Sequence, residues 1–272
     1  MLKRIESLYN KSMFILKRYT KYYKDNGFSK TISKLFSAPT RRINKIFFKK
    51  KYYPHLSLKS SKERFDFIYK TNFWGSTESF SGSGSEIRNT ENIRNQIKNI
   101  INKYNIKKIL DAPCGDFNWI KLIIDDQLEY IGADIVENLI FNNINDYKSK
   151  NINFITLDIT KDKLPDADLM LCRDCLIHLS NLNVKKFIQN FKNSKIKYLL
   201  LTSYETKKDE FGFKNKDIQD GDCRDINLLK PPFRLPIPSL KILDRDHENK
   251  NQSLLRYLYM YSKDQLINLH LD

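Results

Sequence analysis

An α/β fold built on an open, mostly parallel sheet is predicted by three features of this chain. Short apolar runs alternate with helical patterns from Lys107 onward. Residues 109–119 read as strand, tight turn and helix, because the run Ile109-Leu110-Asp111 meets a Pro/Gly turn, and Trp119, Ile120, Leu122 and Ile123 follow at helical spacing. Aspartates (Asp111, Asp134, Asp158) close successive strand runs, at the carboxyl ends where sheets of this kind bind ligands.

In chain order, residues 1–24 space Leu2, Ile5, Leu8, Tyr9, Met13 and Leu16 as one face of a helix with Lys and Arg around it. Such a basic amphipathic helix suits an anionic membrane surface, and it equally suits packing on the body of the protein. Residues 1–70 hold 19 Lys/Arg against 4 Asp/Glu, whereas the remainder holds 29 against 28. Of the formal charge of +16, a surplus of 15 therefore belongs to a basic extension over 1–70, ahead of a nearly neutral domain over 71–272. Gly27 and Pro39 break the extension, and Lys49 to Lys51 before Pro54 read as a linker.

Residues 61–69 form a short helix by pattern. The Gly/Ser-rich stretch 72–89 carries Trp74, Glu78 and Ser81, too many functional side chains for an idle linker, and is read as a lid over a ligand site. Thr90 is the expected N-cap of a helix reaching about Tyr104, with Ile93, Ile97, Ile100 and Ile101 on its buried face. Strands are expected at 107–112, 129–134, 153–157, 168–173 and 197–203, with helices between most of them. Residues 205–238 lose the apolar pattern and form a long insertion on the substrate side, in which Arg224 and Asn227 are candidates for holding a polar substrate, with Tyr204 just ahead of it as a further candidate. Two further strands, 239–243 and 253–261, are joined by a polar turn.

Four cysteines (Cys114, Cys172, Cys175 and Cys223) are too few for a secreted disulfide scaffold. Cys172 and Cys175 have metal-ligand spacing, but no second pair accompanies them, so they read as reduced thiols lining a loop. The acidic side chains of 205–248 offer oxygen ligands without diagnostic spacing. No apolar run approaches the ~20 residues of a membrane span. Lys11, Lys17 and Arg18 interrupt any signal-peptide core. A cytoplasmic protein is expected, peripheral to the inner membrane face if the basic helix binds lipid.

The turn after the first strand carries the chemistry. Free amides at a helix start favour an anion. Asp111 disfavours a phosphate there, but it can receive an amine while the amides receive a carboxylate, and an amino acid carries both groups. A phosphate loop would need Lys and Ser/Thr after the glycines, and G-x-G-x-x-G is missing.

The ordered set Leu110-Asp-Ala-Pro-Cys-Gly-Asp116, Ile131-Gly-Ala-Asp134 and Leu157-Asp-Ile-Thr160 resembles the motifs of class I S-adenosylmethionine-dependent methyltransferases. More narrowly it is similar to a bacterial branch with Asp-Ala-Pro-Cys-Gly-Asp and a downstream Cys-Arg-Asp-Cys-Leu-x-His-Leu, a branch associated with modification of surface polysaccharides or small molecules. The resemblance spans about residues 71 to 262 and departs from the family's usual glycines at Pro113 and Phe117. It implies a seven-stranded Rossmann-like sheet closed by an antiparallel hairpin, S-adenosyl-L-methionine as cofactor, and methyl transfer to a hydroxyl of a small-molecule or glycan acceptor.

On that resemblance, Asp111, Ala112, Pro113, Cys114, Gly115 and Asp116 surround the methionine end of the cofactor. Asp134 would accept from the ribose hydroxyls with Ile135 beside it, Asp158 would meet the adenine amine, and Ile159 would pack on the adenine face. Trp74 and Arg173 are further cofactor candidates, and Glu78 and Ser81 reach cofactor or substrate. His178 is the candidate base for an alcohol, since its reference pKa is near ~6.5. Asp174 would orient it or bind a substrate hydroxyl, and Arg173 would pair with a phosphate or carboxylate. Two other readings stand beside this one. One is an RNA or DNA methyltransferase using the basic extension, although no Asn/Asp-Pro-Pro-Tyr/Phe motif follows the fourth strand. The other is a cofactor-binding scaffold without turnover.

Overall fold

The computed structural model describes residues 52–206, 213–245 and 254–270. The basic helix expected over 1–24 and the linker lysines at 49–51 fall outside the described residues. A 3-10 turn at Pro54–Ser57 belongs to one unit of the chain, and a second compact unit begins at Leu58.

Helix α1 (Ser61–Lys70) starts with reciprocal capping: Ser60 Oγ accepts from Glu63 N, and Glu63 Oε2 accepts from Ser60 N at 2.8 Å. Asp220 fastens α1 to the later insertion, accepting from Ser61 Oγ at 2.5 Å and from Arg64 Nη1 through its carbonyl at 3.3 Å. The lid stretch then turns through two single-turn segments, Ser83–Ser85 and Ile87–Asn89, into α2 (Glu91–Lys103). Thr90 stands at the N-cap, but its hydroxyl donates backwards to the carbonyls of Glu86 and Ile87 rather than capping the helix. Ile93, Ile97 and Ile100 are buried on one face, as their spacing requires.

The sheet strands are β1 (Lys108–Asp111), β2 (Glu129–Asp134), β3 (Ile152–Thr156), β4 (Leu169–Cys172), β5 (Tyr198–Thr206), β6 (Leu240–Arg245) and β7 (Leu254–Ser262). Their order is β3-β2-β1-β4-β5-β7-β6. All neighbours up to β5 are parallel, and β7 enters antiparallel between β5 and β6. The expected seven-stranded Rossmann-like sheet with helices on both faces is the one formed.

Both sheet faces are covered, which explains why the strands are apolar at consecutive positions rather than alternating with polar residues. Successive residues point to opposite cores. Ile109, Leu169, Leu171 and Leu200 join the core under α2 and α3 (Glu137–Tyr147), while Leu110, Met170, Leu199 and Leu201 join Val184, Phe187, Ile188 and Phe191 of α4 (Asn181–Asn193). A last helix, α5 (Lys263–Ile267), follows β7.

One element differs from expectation. The helix expected after Trp119 is a single 3-10 turn, Ile120–Ile123. Asp125 ends it by forming the turn into β2, accepting from Gln127 N at 3.0 Å through its side chain and from Leu128 N at 3.2 Å through its carbonyl. The turn after β1 therefore opens no helix with spare amides.

Candidate active site

The strand order reverses between β1 and β4, and at such a switch the carboxyl ends of the strands frame a crevice. Asp111 and Asp134 end the neighbouring strands β1 and β2 and are both buried. Tyr130 donates its hydroxyl to Asp111 Oδ2 at 2.8 Å, yet burial pushes the Asp111 carboxyl up to about 7. Asp134 is oriented by two amides, Gly115 N at 3.3 Å on Oδ2 and Val136 N at 3.1 Å on Oδ1, and burial pushes it up to about 6.

Between them the turn is held by backbone bonds, Ala112 N to Leu171 O at 2.9 Å and Cys114 N to Ala133 O at 2.8 Å. Pro113 follows a cis peptide bond. Cys114 is buried, and burial raises its thiol well above the ordinary range. Gly115 (φ +55°) and Phe117 (φ +57°) are both left-handed. Phe117 takes a glycine's place because its ring packs among Tyr130, Tyr147 and Phe154, with centroids 4.9, 5.3 and 5.2 Å away. Asn143 of α3 donates to Gly115 O at 2.8 Å.

Asp116 faces the lid stretch. Its carboxylate accepts from Ser79 Oγ at 2.9 Å, Phe80 N at 2.8 Å and Ser81 Oγ at 3.4 Å. Glu78, exposed, accepts from Asn118 Nδ2 and Ile87 N, both at 2.7 Å, and these bonds hold its carboxyl below the usual range. Both acids thus stitch 78–81 to the turn after β1.

Beyond β2, Ile135 is half-buried. After β3, Asp158 Oδ1 accepts from Thr160 N at 2.9 Å and Thr160 Oγ1 at 2.6 Å, shaping a local turn beside buried Ile159.

The end of β4 carries a charge network that proximity in sequence does not reveal. Arg173 forks onto Asp244 of β6, Nε to Oδ2 at 3.0 Å and Nη2 to Oδ1 at 3.1 Å, and Nη2 also donates to lid carbonyl Gly84 O at 2.9 Å. Arg256 of β7 donates through Nη1 to Asp174 Oδ2 at 2.9 Å and sets Nε 3.0 Å from Asp244 Oδ2. Asp174 itself is left-handed (φ +51°), with its amide donating to Thr202 Oγ1 at 2.8 Å. Burial would raise its carboxyl, but Arg173 and Arg256 hold it below the usual range.

His178 lies on the 3-10 turn Leu176–His178, half-buried, under Trp74, with ring centroids 5.1 Å apart and planes inclined by 32°. Its Nδ1 is 2.9 Å from Asp222 O. A carbonyl can only accept, so Nδ1 carries the hydrogen and Nε2 keeps the basic lone pair. Burial lowers the imidazole pKa, with Asp222 O and Asp174 pulling the other way.

The insertion wraps this turn. Arg224 donates to Leu176 O at 3.0 Å, Ile177 O at 3.3 Å and Asn181 Oδ1 at 3.0 Å; Asn227 Oδ1 accepts from Leu229 N at 3.0 Å. Both side chains spend these contacts on the protein's own backbone and loops. Tyr204 is buried beside Arg256, and burial raises its phenol far above the ordinary value. Cys172 is buried and Cys175 half-buried, and among the described residues no group of three His, Cys, Asp or Glu could hold a metal. No described helix is long and apolar enough to cross a membrane.

Contacts thus link Trp74, Arg173, Asp174, His178 and Tyr204 into one group after β4, and bring Asp111, Asp134 and residues 112–116 together at the ends of β1 and β2. Sequence reasoning missed Arg256, Asp244, Thr202 and Tyr130. A signal was present for one of them, because Arg256 is a lone charge inside the apolar strand β7.

No protein-family model matches the chain, and no curated protein matches it by sequence. Solved structures similar to it include the methyltransferase domain of bacterial CtHen1-C, at 14% identity and TM-score 0.39 over 45% of this chain and 68% of that one. Human N-acetylserotonin methyltransferase, solved in complex with SAM, is 12% identical with TM-score 0.44, over 74% of this chain and 56% of that one. The N-terminal domain of EvdMO1, solved in the presence of SAH and D-fucose, is 10% identical with TM-score 0.45, over 63% of this chain and 83% of that one.

Proposed function

We propose that this chain is an S-adenosyl-L-methionine-dependent methyltransferase acting on a hydroxyl of a small-molecule or glycan acceptor. One observation carries the reading: two buried carboxylates, Asp111 and Asp134, end adjacent strands on either side of the turn 112–116. Burial works against ionising either, so a ligand that brings a cation and hydrogen-bond donors stabilises both. An amino acid joined to a nucleoside brings an ammonium for Asp111 and ribose hydroxyls for Asp134. The two amides on Asp134 already aim its oxygens, and the motif resemblance assigns Asp158 and Ile159 to the adenine end.

When bound, this cofactor supplies a methyl group on a positively charged sulfur, open to in-line displacement. The protein's part is to place the acceptor and move a proton. His178 Nε2 takes the proton of the acceptor hydroxyl, because Nδ1 is committed to Asp222 O. Asp174, ionised between Arg173 and Arg256, lies near enough to favour the imidazolium that forms. Trp74 covers His178 and limits water at the base.

Incubation with cofactor labelled in the methyl group and a pool of hydroxyl-bearing acceptors tests the reading. Label passes to the pool with wild type, and at a rate at least about 100-fold lower with His178→Ala. Cofactor binding without transfer to any acceptor would contradict it.

A further inference from the structure

The guanidinium of Arg256 is 6% exposed, and its Nη2 meets no hydrogen-bond acceptor among the described residues. Its Nε, though 3.0 Å from Asp244 Oδ2, is misaligned for a hydrogen bond. Nη1 donates to Asp174 Oδ2 at 2.9 Å, and the Tyr204 hydroxyl is a second hydrogen-bonding neighbour of the guanidinium. A buried donor left unmet is costly, so the arrangement calls for an oxygen beside Nη2. Beside the same guanidinium stand the Asp174 carboxylate and the Tyr204 hydroxyl.

Charge decides which oxygen. Arg173 and Arg256 are already matched by Asp174 and Asp244. A phosphate or carboxylate entering beside Arg256 would gain one cation that is already neutralised and would face the Asp174 carboxylate at close range. A hydroxyl can accept from Arg256 Nη2 and donate to Asp174 at once, a double role that a carboxylate or a fully ionised phosphate cannot play.

We infer that Arg256, Asp174 and Tyr204 form an acceptor subsite that takes a hydroxyl of an uncharged polyhydroxylated compound, and that phosphorylated or acidic analogues are rejected there. This rests on the methyl-transfer reading and sharpens it: one hydroxyl of the acceptor is held in the subsite while another meets His178. The lid roofs the subsite. A Cβ on Gly84 would lie 3.2 Å from Asp174 Oδ2 and 3.6 Å from Arg256 Nη1, so the absence of a side chain there lets the lid backbone close directly over both groups. Gly75 (φ +69°) and Gly82 (φ +87°) are left-handed points in the same stretch.

The test uses the full chain, methyl-labelled cofactor, and two probe sets at equal concentration: methyl hexosides, and the matching hexose 6-phosphates and hexuronic acids. Products are separated by anion exchange. Label is expected in the unretained neutral fraction at ten times or more the retained fraction. Tyr204→Phe, which removes one oxygen and leaves the ion network intact, raises KM for the neutral probe at least fivefold while cofactor affinity stays within twofold. Arg256→Lys keeps the charge but not the fork, and raises the same KM further. Label mainly in the retained fraction, or unchanged KM in Tyr204→Phe, overturns the subsite. Transfer into a whole-cell extract without transfer to the neutral probes also overturns it. Transfer into neither the probes nor the extract instead fails the methyl-transfer reading on which it rests.

Discussion

Ser79 Oγ donates to Asp116 Oδ1 at 2.9 Å, and through this bond a loop ahead of the sheet is tied to the turn that follows β1. Phe80 N strengthens the tie from the other carboxylate oxygen at 2.8 Å. Asp116 is thus the anchor of residues 79–81. Asp116→Ala should release residues 76–85. Hydrogen exchange of Phe80 N is expected to speed up by about 10-fold or more, the loss of one to two charge-assisted bonds. Protection equal to wild type would show that residues 76–85 are held elsewhere.

Gly115 provides a second handle on the same contact. It is left-handed, and a Cβ there would run into Ser81 Oγ. Gly115→Ala should cost about 1–3 kcal/mol in chemical denaturation. Pairing it with Ser81→Gly should recover the part due to collision and leave the part due to backbone strain. If the double variant shows no recovery, the collision is not the cause.

Protonation of Asp111 and Asp134 sets the pH behaviour. Their carboxyls in the folded protein stand at about 7 and about 6, above their ordinary value of 3.8. The folded state therefore binds more protons than the unfolded state between those limits. Its stabilising contribution is complete below about pH 4 and is lost as pH rises through 6 and 7. Without ligand, unfolding free energy should fall from pH 5 to pH 8, and Asp111→Asn should flatten that fall, an effect on the order of 2 kcal/mol. Cofactor affinity should move the opposite way and strengthen over the same interval, since both carboxylates are used ionised. Calorimetry at pH 5.5 and 8 reads the second effect, and affinity that weakens with pH would refute the assignment.

His178 should remain neutral at pH 7. Burial lowers its pKa from 6.5. With only four histidines in the chain, its ring proton can be followed by NMR, and the midpoint is expected below 6.5. The acidic limb of the turnover profile should share that midpoint and vanish in His178→Ala. A profile unchanged by the substitution would remove His178 as the base.

How far the sequence reveals this architecture depends on the range of the interaction. The strands are legible because both sheet faces are buried and the apolar runs cannot be mistaken for solvent-facing strands, as Leu169 to Cys172 show. The strand-end acids Asp111 and Asp134 are legible for the same reason, each being the polar residue that closes such a run. The helix expected after Trp119 shows the limit of periodicity, because the Asp125 turn competes for the same residues and wins. Contacts made by folding are invisible to spacing: Asp116 meets Ser79 across 37 positions, Arg173 meets Asp244 across 71, and Arg256 meets Asp174 across 82. Arg224 and Asn227 sit in the insertion that sequence reading assigned to the substrate side, yet their side chains bond to the protein's own loops, a distinction that only coordinates draw.

Isothermal titration of S-adenosyl-L-methionine into wild type and Asp134→Ala tests the central claim most directly. Wild type should bind at one site per chain, and Asp134→Ala should bind about 100-fold more weakly, or about 2.7 kcal/mol, while remaining folded. No binding by the wild type, or equal affinity in the folded variant, would contradict it.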